Sequence, residues 1–569
     1  MTKHIDLQAK PFALDEAQIQ WVEETLAGMT LDEKIGQLFC PIALGPEPGQ
    51  LDTVLDTLHP GGMLFRAMDA KTIQDAQRYL QQKSRIPLLL AANLEAGGNG
   101  TTTDGTYFGY PMEMAATDDE IHAYHLGKVA AAEGRVTGCN WAFSPILDIN
   151  RNPLNPITNV RTYGDDPERI IRMAKAFTKG VREHEMVVSI KHFPGDGMDD
   201  RDQHLHPTIN SCTAEEWDAT YGKIYRAMIE DGAETVMVGH ILQPAWQMRL
   251  NPALKFEDLK PATLSPELLQ GLLRGRLGFN GLIVTDATPM GGFTGMMSRR
   301  DAVPMAIAAG CDMFLFNRNM AEDFQFMKDG IARGILTEER VDEAVTRILA
   351  VKAHMNLPKE KAEGTLVPPE SAIETELARP EYAKWAQEAA DAAVTLVKDT
   401  QHALPLNPSK QSHILLYVFG DEWGYFGSDS APHFKELLEE AGFVVDVFDK
   451  DKMRFAYIDI RLEDFVKQYD AVLYYVNVEP ASNKSTLRVE WNKPMASDMP
   501  WFLQDVPTIG ISVGTPYLLK DMPLLKTVIN GYSANAFVQK AIVEKLTGRS
   551  AFCGKSPVDP FAGQWLAKL

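Results

Sequence analysis

Eight short apolar runs, each followed by a stretch of helical spacing, occupy residues 30 to about 350 of a 569-residue chain. They read IGQLFCPIAL (35–44), GGMLF (61–65), PLLLAANLE (87–95), CNWAFSPILDI (139–149), VVSIKHF (187–193), ETVMVGHI (234–241), GLIVTDA (281–287) and CDMFLF (311–316). None alternates cleanly between apolar and polar residues. A strand covered on both faces has no reason to alternate, and strands separated by helices form parallel sheets. The stretches between them, such as DAQRYLQQKSR, HAYHLGKVAAAEGRV and PERIIRMAKAFTKGVRE, space their apolar residues as a helix does. Eight strand–helix units are what a (β/α)8 barrel requires. An open doubly wound sheet has the same local pattern, and the count favours the barrel.

The barrel is expected to span 1–357. A Pro/Glu/Lys-rich stretch, NLPKEKAEGTLVPPESAIETELARPE, follows it and reads as a linker over 358–385. Residues 386–569 form a second, smaller α/β domain. Its elements are a helix at AKWAQEAADAAVTLVKD, strands at HILLYVFG, VVDVFD, AVLYYVNV, PTIGISVG and KTVINGYS, and helices at HFKELLEEAG and NAFVQKAIVEKLTG.

A net charge of −21, with no basic run, argues against nucleic acid or an anionic membrane as partner. The N-terminal MTKHIDLQAKPFALDE has no apolar core of an export signal, and nowhere do about eighteen apolar residues run together. Five widely spaced cysteines, most of them inside apolar runs, suit buried thiols in the cytoplasm. The oligomeric state is not encoded in any motif.

In a barrel of this type the chemistry sits where strands end. The third run ends in Asn93 and Glu95, the fourth in Asp148, the fifth in Lys191 and His192, the sixth in His240 and the seventh in Asp286. Each alone could be a strand-end group satisfied by backbone; together they point into one mouth. Asp286 follows four apolar residues and is costly to desolvate without neighbouring donors. It reads as a nucleophile, a metal ligand or a helix cap. The loop KHFPGDGMDDRDQH (191–204) then sets Asp202 two residues from His204, a spacing that lets a carboxylate orient an imidazole for proton transfer near neutral pH. WGYFG (423–427), Trp491 and Trp501 are candidate sugar-stacking or core aromatics. GGFTGMMSRRD (291–301) either shapes a pocket beside Asp286 or is a flexible connection.

KHFPGDG, four residues, then DQH resembles the signature of glycoside hydrolase family 3, in its β-N-acetylglucosaminidase branch. There the pattern is Lys-His-Phe-Pro-Gly-His-Gly, four residues, Asp-Ser-His. MTLDEKIGQLF, FSPILDIN, RTYGDDPERI, PATLSPELLQGLLRGRLGFNGLIVTDA, TLVKDTQHALPL and CGKSPV resemble collinear stretches of the same family, so the likeness covers the whole chain. The resemblance implies a barrel followed by an α/β sandwich domain, and no cofactor or metal. It implies Asp286 as nucleophile and His204 with Asp202 as general acid/base. Asn93, Glu95, Asp148, Arg161, Lys191, His192 and His240 would form the sugar site. Two positions depart from the pattern. Asn93 stands in ANLEAGG where the family has the Asp of Asp-x-Glu-Gly-Gly, with Ala96 inserted. Asp196 replaces the second His of the signature.

The implied activity is removal of a terminal β-linked N-acetylhexosamine from a small oligosaccharide or glycoconjugate by retaining double displacement. The alternatives on this scaffold are a phosphorylase and a β-glucosidase. From another class, a metal-dependent hydrolase would draw on His192, His204, His206, His240 and Asp286, whose spacing matches no familiar zinc set.

Overall fold

The computed structural model describes residues 5–43, 45–420, 430–448, 460–491 and 497–569. The chain divides into two units. The first comprises Met1–Tyr107, Ala123–Ile149 and Ile170–Tyr382; the second comprises Phe108–His122, Asn150–Arg169 and Ala383–Leu569.

Eight parallel strands form the first unit's centre: β1 (Phe39–Cys40), β2 (Gly62–Leu64), β3 (Leu89–Ala92), β4 (Trp141–Ala142), β5 (Val187–Phe193), β6 (Thr235–Val238), β7 (Leu282–Thr285) and β8 (Phe314–Leu315). β2 to β7 are joined in chain order in one sheet, and β8 pairs with β1. Backbone bridges Ile42 to Leu64 and Val284 to Met313 complete the ring. The open-sheet alternative is thereby excluded: the chain builds a closed (β/α)8 barrel. Every residue of β3, β5, β6 and β7 is buried, which is why these runs show no alternation.

The paired segments are shorter than the apolar runs. Pro145 has no N–H to give the ladder after β4, which resumes at Ile146 beside Lys191. In β5 the pairing with β6 slips between Ile190 and Phe193, where Lys191 and His192 stand. Such slips re-aim side chains at a barrel rim.

The Pro/Glu/Lys-rich stretch is more structured than a free spacer. It carries helices Leu357–Glu363 and Ser371–Glu376. Arg135 donates to the Leu366 carbonyl and pairs with Glu360, both at 2.8 Å, and Arg78 donates to the Val367 and Pro368 carbonyls.

The second unit is built on β9 (Thr395–Asp399), β10 (His413–Phe419), β11 (Val444–Val447), β12 (Ala471–Val476), β13 (Thr508–Ser512) and β14 (Thr527–Asn530), in the order β9-β14-β13-β12-β10-β11. All neighbours are parallel except the edge strand β9. Leu416, Leu473 and Ile511 pack on one face while Leu415, Val472 and Tyr474 pack on the other, so the sheet is covered on both sides. The expected helix AKWAQEAADAAVTLVKD is corrected: it ends at Ala393, and Thr395–Asp399 is β9. The β-branched Val394, Thr395 and Val397 favour the strand.

The second unit also buries Glu113, on the helix Pro111–Thr117, with no measurable exposure. Burial pushes its carboxyl up to about 8 from 4.5, against the weaker opposing influence of the Ser533 and Asn535 side chains. In the unfolded chain this group ionises near 4.5; in the folded one it stays protonated to about 8. Stability is therefore lost as pH rises from 4.5 through 8, by an order of a few kcal/mol. Glu113→Gln removes that pH dependence. Thermal denaturation should show the variant gaining several degrees over the parent at pH 8.5 and almost nothing at pH 4.5. Equal melting at both pH values would show that this carboxyl does not titrate with folding.

Candidate active site

All the strand-end groups named from the barrel sequence lie at the carboxyl ends of β3 to β7. Lys191, almost fully buried, places Nζ 2.7 Å from Glu95 Oε1 and 3.4 Å from Asn93 Oδ1. The ends of β3 and β5 are thus tied by a desolvated ion pair, which holds the ammonium in place at the floor of the site.

His192 has its Nδ1 2.7 Å from Asp148 Oδ2. A carboxylate only accepts, so Nδ1 carries the hydrogen and Nε2 is left as the basic nitrogen. Asp148 is fully buried, and its other oxygen accepts from the backbone amides of His192 (3.2 Å) and Asp196 (2.7 Å). It stands behind the imidazole rather than facing the mouth.

His240 is also fully buried. Its Nε2 lies 2.9 Å from the Ala287 carbonyl, and its Nδ1 3.0 Å from Thr263 Oγ1. The carbonyl can only accept, so Nε2 donates to it and Nδ1 accepts from the threonine hydroxyl. Both ring nitrogens are used, and burial lowers the pKa, which keeps the ring neutral. With its nitrogens occupied, this ring is no metal ligand. Among the described residues, no group of three or more His, Cys, Asp and Glu side chains is placed to hold a metal ion.

Asp286 follows β7 directly and is partly exposed. Burial raises its pKa. The neighbouring imidazoles, His192 foremost, together with the amide N–H of Ala287 at 2.7 Å from Oδ1, outweigh that and leave the carboxyl below its ordinary value. It is ionised at neutral pH.

The loop after β5 brings a second carboxylate–imidazole pair to the same mouth. Gly195, at φ +117°, turns with the Tyr221 ring so close that a Cβ would lie 2.1 Å from it. The Trp217 indole donates to the Pro194 carbonyl at 2.8 Å. Further along, Asp202 Oδ1 accepts from both the backbone N–H of His204 (2.8 Å) and its Nδ1 (2.7 Å). The Asp202 carboxyl is buried and the His204 ring is about a quarter exposed. The two-residue spacing closes into a dyad.

GGFTGMMSRRD begins by clasping this loop. Gly291 N donates to the His204 carbonyl at 2.7 Å and Gly292 N to the Gln203 carbonyl at 3.1 Å. A Cβ at Gly291 would stand 2.1 Å from the Leu205 carbonyl, so glycine is required for the approach. The two chain segments that carry Asp286 and His204 are thereby docked on one another.

Asp196, unexplained by the sequence, is nearly buried: its Oδ1 accepts from Gly197 N at 2.7 Å and its Oδ2 from Gln203 Nε2 at 3.3 Å. Gln203 itself was not expected to matter; its one signal is that it replaces the Ser of the Asp-Ser-His pattern. Arg161 belongs to the second unit, where Nη1 donates to the Ile157 carbonyl at 2.9 Å. Trp491 packs edge-on against Phe419, and Trp501 against Phe465 and Phe502. WGYFG lies outside the described residues.

Residues 30–351, more than half of the chain, match the glycosyl hydrolase family 3 N-terminal domain. Over 565 residues, 99% of each chain, the sequence is 41% identical to a protein of Cellulomonas fimi described as beta-N-acetylglucosaminidase/beta-glucosidase. A solved structure described as beta-glucoside phosphorylase BglX superimposes with a TM-score of 0.92 at 47% identity, covering 99% of each chain. A family 3 beta-N-acetylglucosaminidase from Paenibacillus sp. shares the fold, with a TM-score of 0.80 at 24% identity over 94% of this chain and 100% of that one. The chain is a glycoside hydrolase and belongs to glycosyl hydrolase family 3.

Proposed function

We propose that the protein is an exo-acting, retaining β-glycosidase that removes a terminal gluco-configured sugar, 2-acetamido or plain. The observation that carries this reading is that the segment following Asp286 docks on the loop of His204, whose Nδ1 is fixed by Asp202 at 2.7 Å. Asp286 attacks the anomeric carbon while His204 Nε2 protonates the departing oxygen. The acceptor then attacks the glycosyl-enzyme, giving its proton to the same nitrogen, and the β configuration is restored. Asn93, Lys191 and His192 bind sugar hydroxyls; Glu95, Asp148 and His240 hold those groups and Asp286 in place. No step is routed through a metal or cofactor. Four of the five cysteines are buried free thiols, which suits a cytoplasmic enzyme. Among the described residues no helix is long and apolar enough to cross a membrane.

A second reading is favoured by the 47% identical phosphorylase: phosphate replaces water as acceptor. A carboxylate in the acid/base position would repel the arriving anion by roughly 4 kcal/mol per unit charge at about 4 Å, at an effective dielectric of about 20. With an imidazole there, the negative charge stands one ring further back, on Asp202, and the repulsion falls to roughly half. Incubating 4-nitrophenyl glycosides of GlcNAc, GalNAc and glucose with and without phosphate tests both readings. We expect turnover of the GlcNAc and glucose donors, a faster reaction in phosphate, and a β-configured sugar 1-phosphate among the products. If free sugar alone appears at every phosphate concentration, phosphorolysis is refuted. If no glycoside turns over, so is the glycosidase.

A further inference from the structure

Gln203 stands between the two members of the dyad and is 1% exposed. Its side-chain amide is used at both ends. Oε1 accepts from the backbone N–H of His240 at 2.8 Å, and Nε2 donates to Asp196 Oδ2 at 3.3 Å. Its own carbonyl accepts from Gly292 N at 3.1 Å. Each bond leads to a different part of the mouth. His240 donates to Ala287, the residue after Asp286. The amide of Asp196 donates to Asp148, which orients His192. Gly292 continues the segment that follows β7. Through its side-chain amide and its backbone carbonyl, Gln203 therefore joins the loop carrying His204 to the ends of β4, β6 and β7.

We propose that Gln203 is a positioning residue: it holds the acid/base loop over Asp286 before substrate arrives, so that His204 Nε2 meets the glycosidic oxygen without a closing motion of the loop. The proposal rests on His204 being the acid/base. A positioned proton donor matters most where the leaving group needs the proton, and misplacement by about 1 Å can cost roughly 100-fold. Chemistry limits what can serve at 203. The residue must present an acceptor to His240 N and a donor to a carboxylate, in a buried space, and a primary amide does both. Serine is too short, and a carboxylate would face Asp196.

The test is a polarity swap. Q203E sets an acceptor against the Asp196 carboxylate, and D196N sets a donor against the Gln203 amide, so each single variant opposes like groups. The double variant D196N/Q203E restores a donor–acceptor pair with its direction reversed, at unchanged volume and charge. With phenyl glycosides, whose departure needs the proton, we expect kcat/KM to fall about 30-fold in each single variant and to recover to within about threefold of the parent in the double. With 2,4-dinitrophenyl glycosides, which leave without a proton, the singles should lose less than about threefold. A merely structural defect would depress both donors alike, and that result overturns the proposal. So does failure of the double variant to recover. Singles with parental activity on the phenyl donor, alongside an inactive H204A, would sink the role of Gln203 while leaving the dyad intact. An active H204A would instead remove the reading on which the proposal stands.

Discussion

Asp286→Asn is expected to reduce kcat by about 10,000-fold or more on every glycoside the parent cleaves, without unfolding the protein. The amide is nearly isosteric with the carboxylate and its oxygen can still accept from Ala287 N, so the strand end and its backbone hydrogen bond persist. What disappears is the negative charge that the surrounding imidazoles hold in place. That charge must form the bond to the anomeric carbon and balance the positive charge developing on the sugar ring. A 2-fluoro glycosyl donor gives an independent readout. The fluorine destabilises both transition states, and an activated leaving group rescues only the first, so the parent should accumulate a covalent adduct. Peptide mass mapping should find it on Asp286, and D286N should not be labelled. A label on Glu95, Asp148 or Asp202 would reassign the nucleophile. Small anions such as azide should restore turnover to D286A by attacking directly and give the α-glycosyl azide; a β product would place the nucleophile elsewhere.

The barrel was legible because its strands are buried on both faces and five of the eight end on polar, charged or imidazole-bearing residues, an arrangement with few uses away from a shared mouth. Asp286, His192, Lys191 and Glu95 could be found that way because each is one or two residues past an apolar run. The Asp202–His204 contact was legible because it is local in sequence. Three things were not. Strand lengths depend on where a proline interrupts pairing, as at Pro145, and on the slip at Lys191–His192. The end of the helix at Ala393 is decided by tertiary pairing of Thr395–Asp399 with β14, since Val-Thr-Leu-Val-Lys can be written as either structure. The contacts of Gln203 are with residues seven and thirty-seven positions away and with Gly292 in the segment after β7, so no spacing rule announces them. His240 was placed correctly at a strand end, but its direction was not readable. Only the partners Thr263 and Ala287 show that it supports Asp286 from behind.

His204→Ala separates the two halves of the proposed reaction. Without the imidazole, kcat/KM on a phenyl or alkyl glycoside should fall about 1,000-fold, since the aglycone must leave unprotonated, while a 2,4-dinitrophenyl donor should lose little in that first step. The second step loses its base, so the activated donor should give a rapid burst of phenolate followed by slow turnover. Azide, which needs no base, should accelerate that slow phase and give the β-glycosyl azide, opposite in configuration to the product from D286A. Asp202→Asn tests why the imidazole works as it does. The carboxylate can only accept, so it fixes the hydrogen on Nδ1 and leaves Nε2 to exchange protons with substrate. An amide can keep its oxygen on both hydrogens but carries no negative charge, so the imidazolium that protonates the leaving oxygen loses its counter-charge; a loss of roughly 100-fold or more on the phenyl donor is expected. D202N should keep the dinitrophenyl burst because Asp286 is untouched. If H204A slows phenyl and dinitrophenyl donors equally, His204 binds substrate without moving a proton. If D202N matches the parent on both, the 2.7 Å contact serves the loop and not the chemistry.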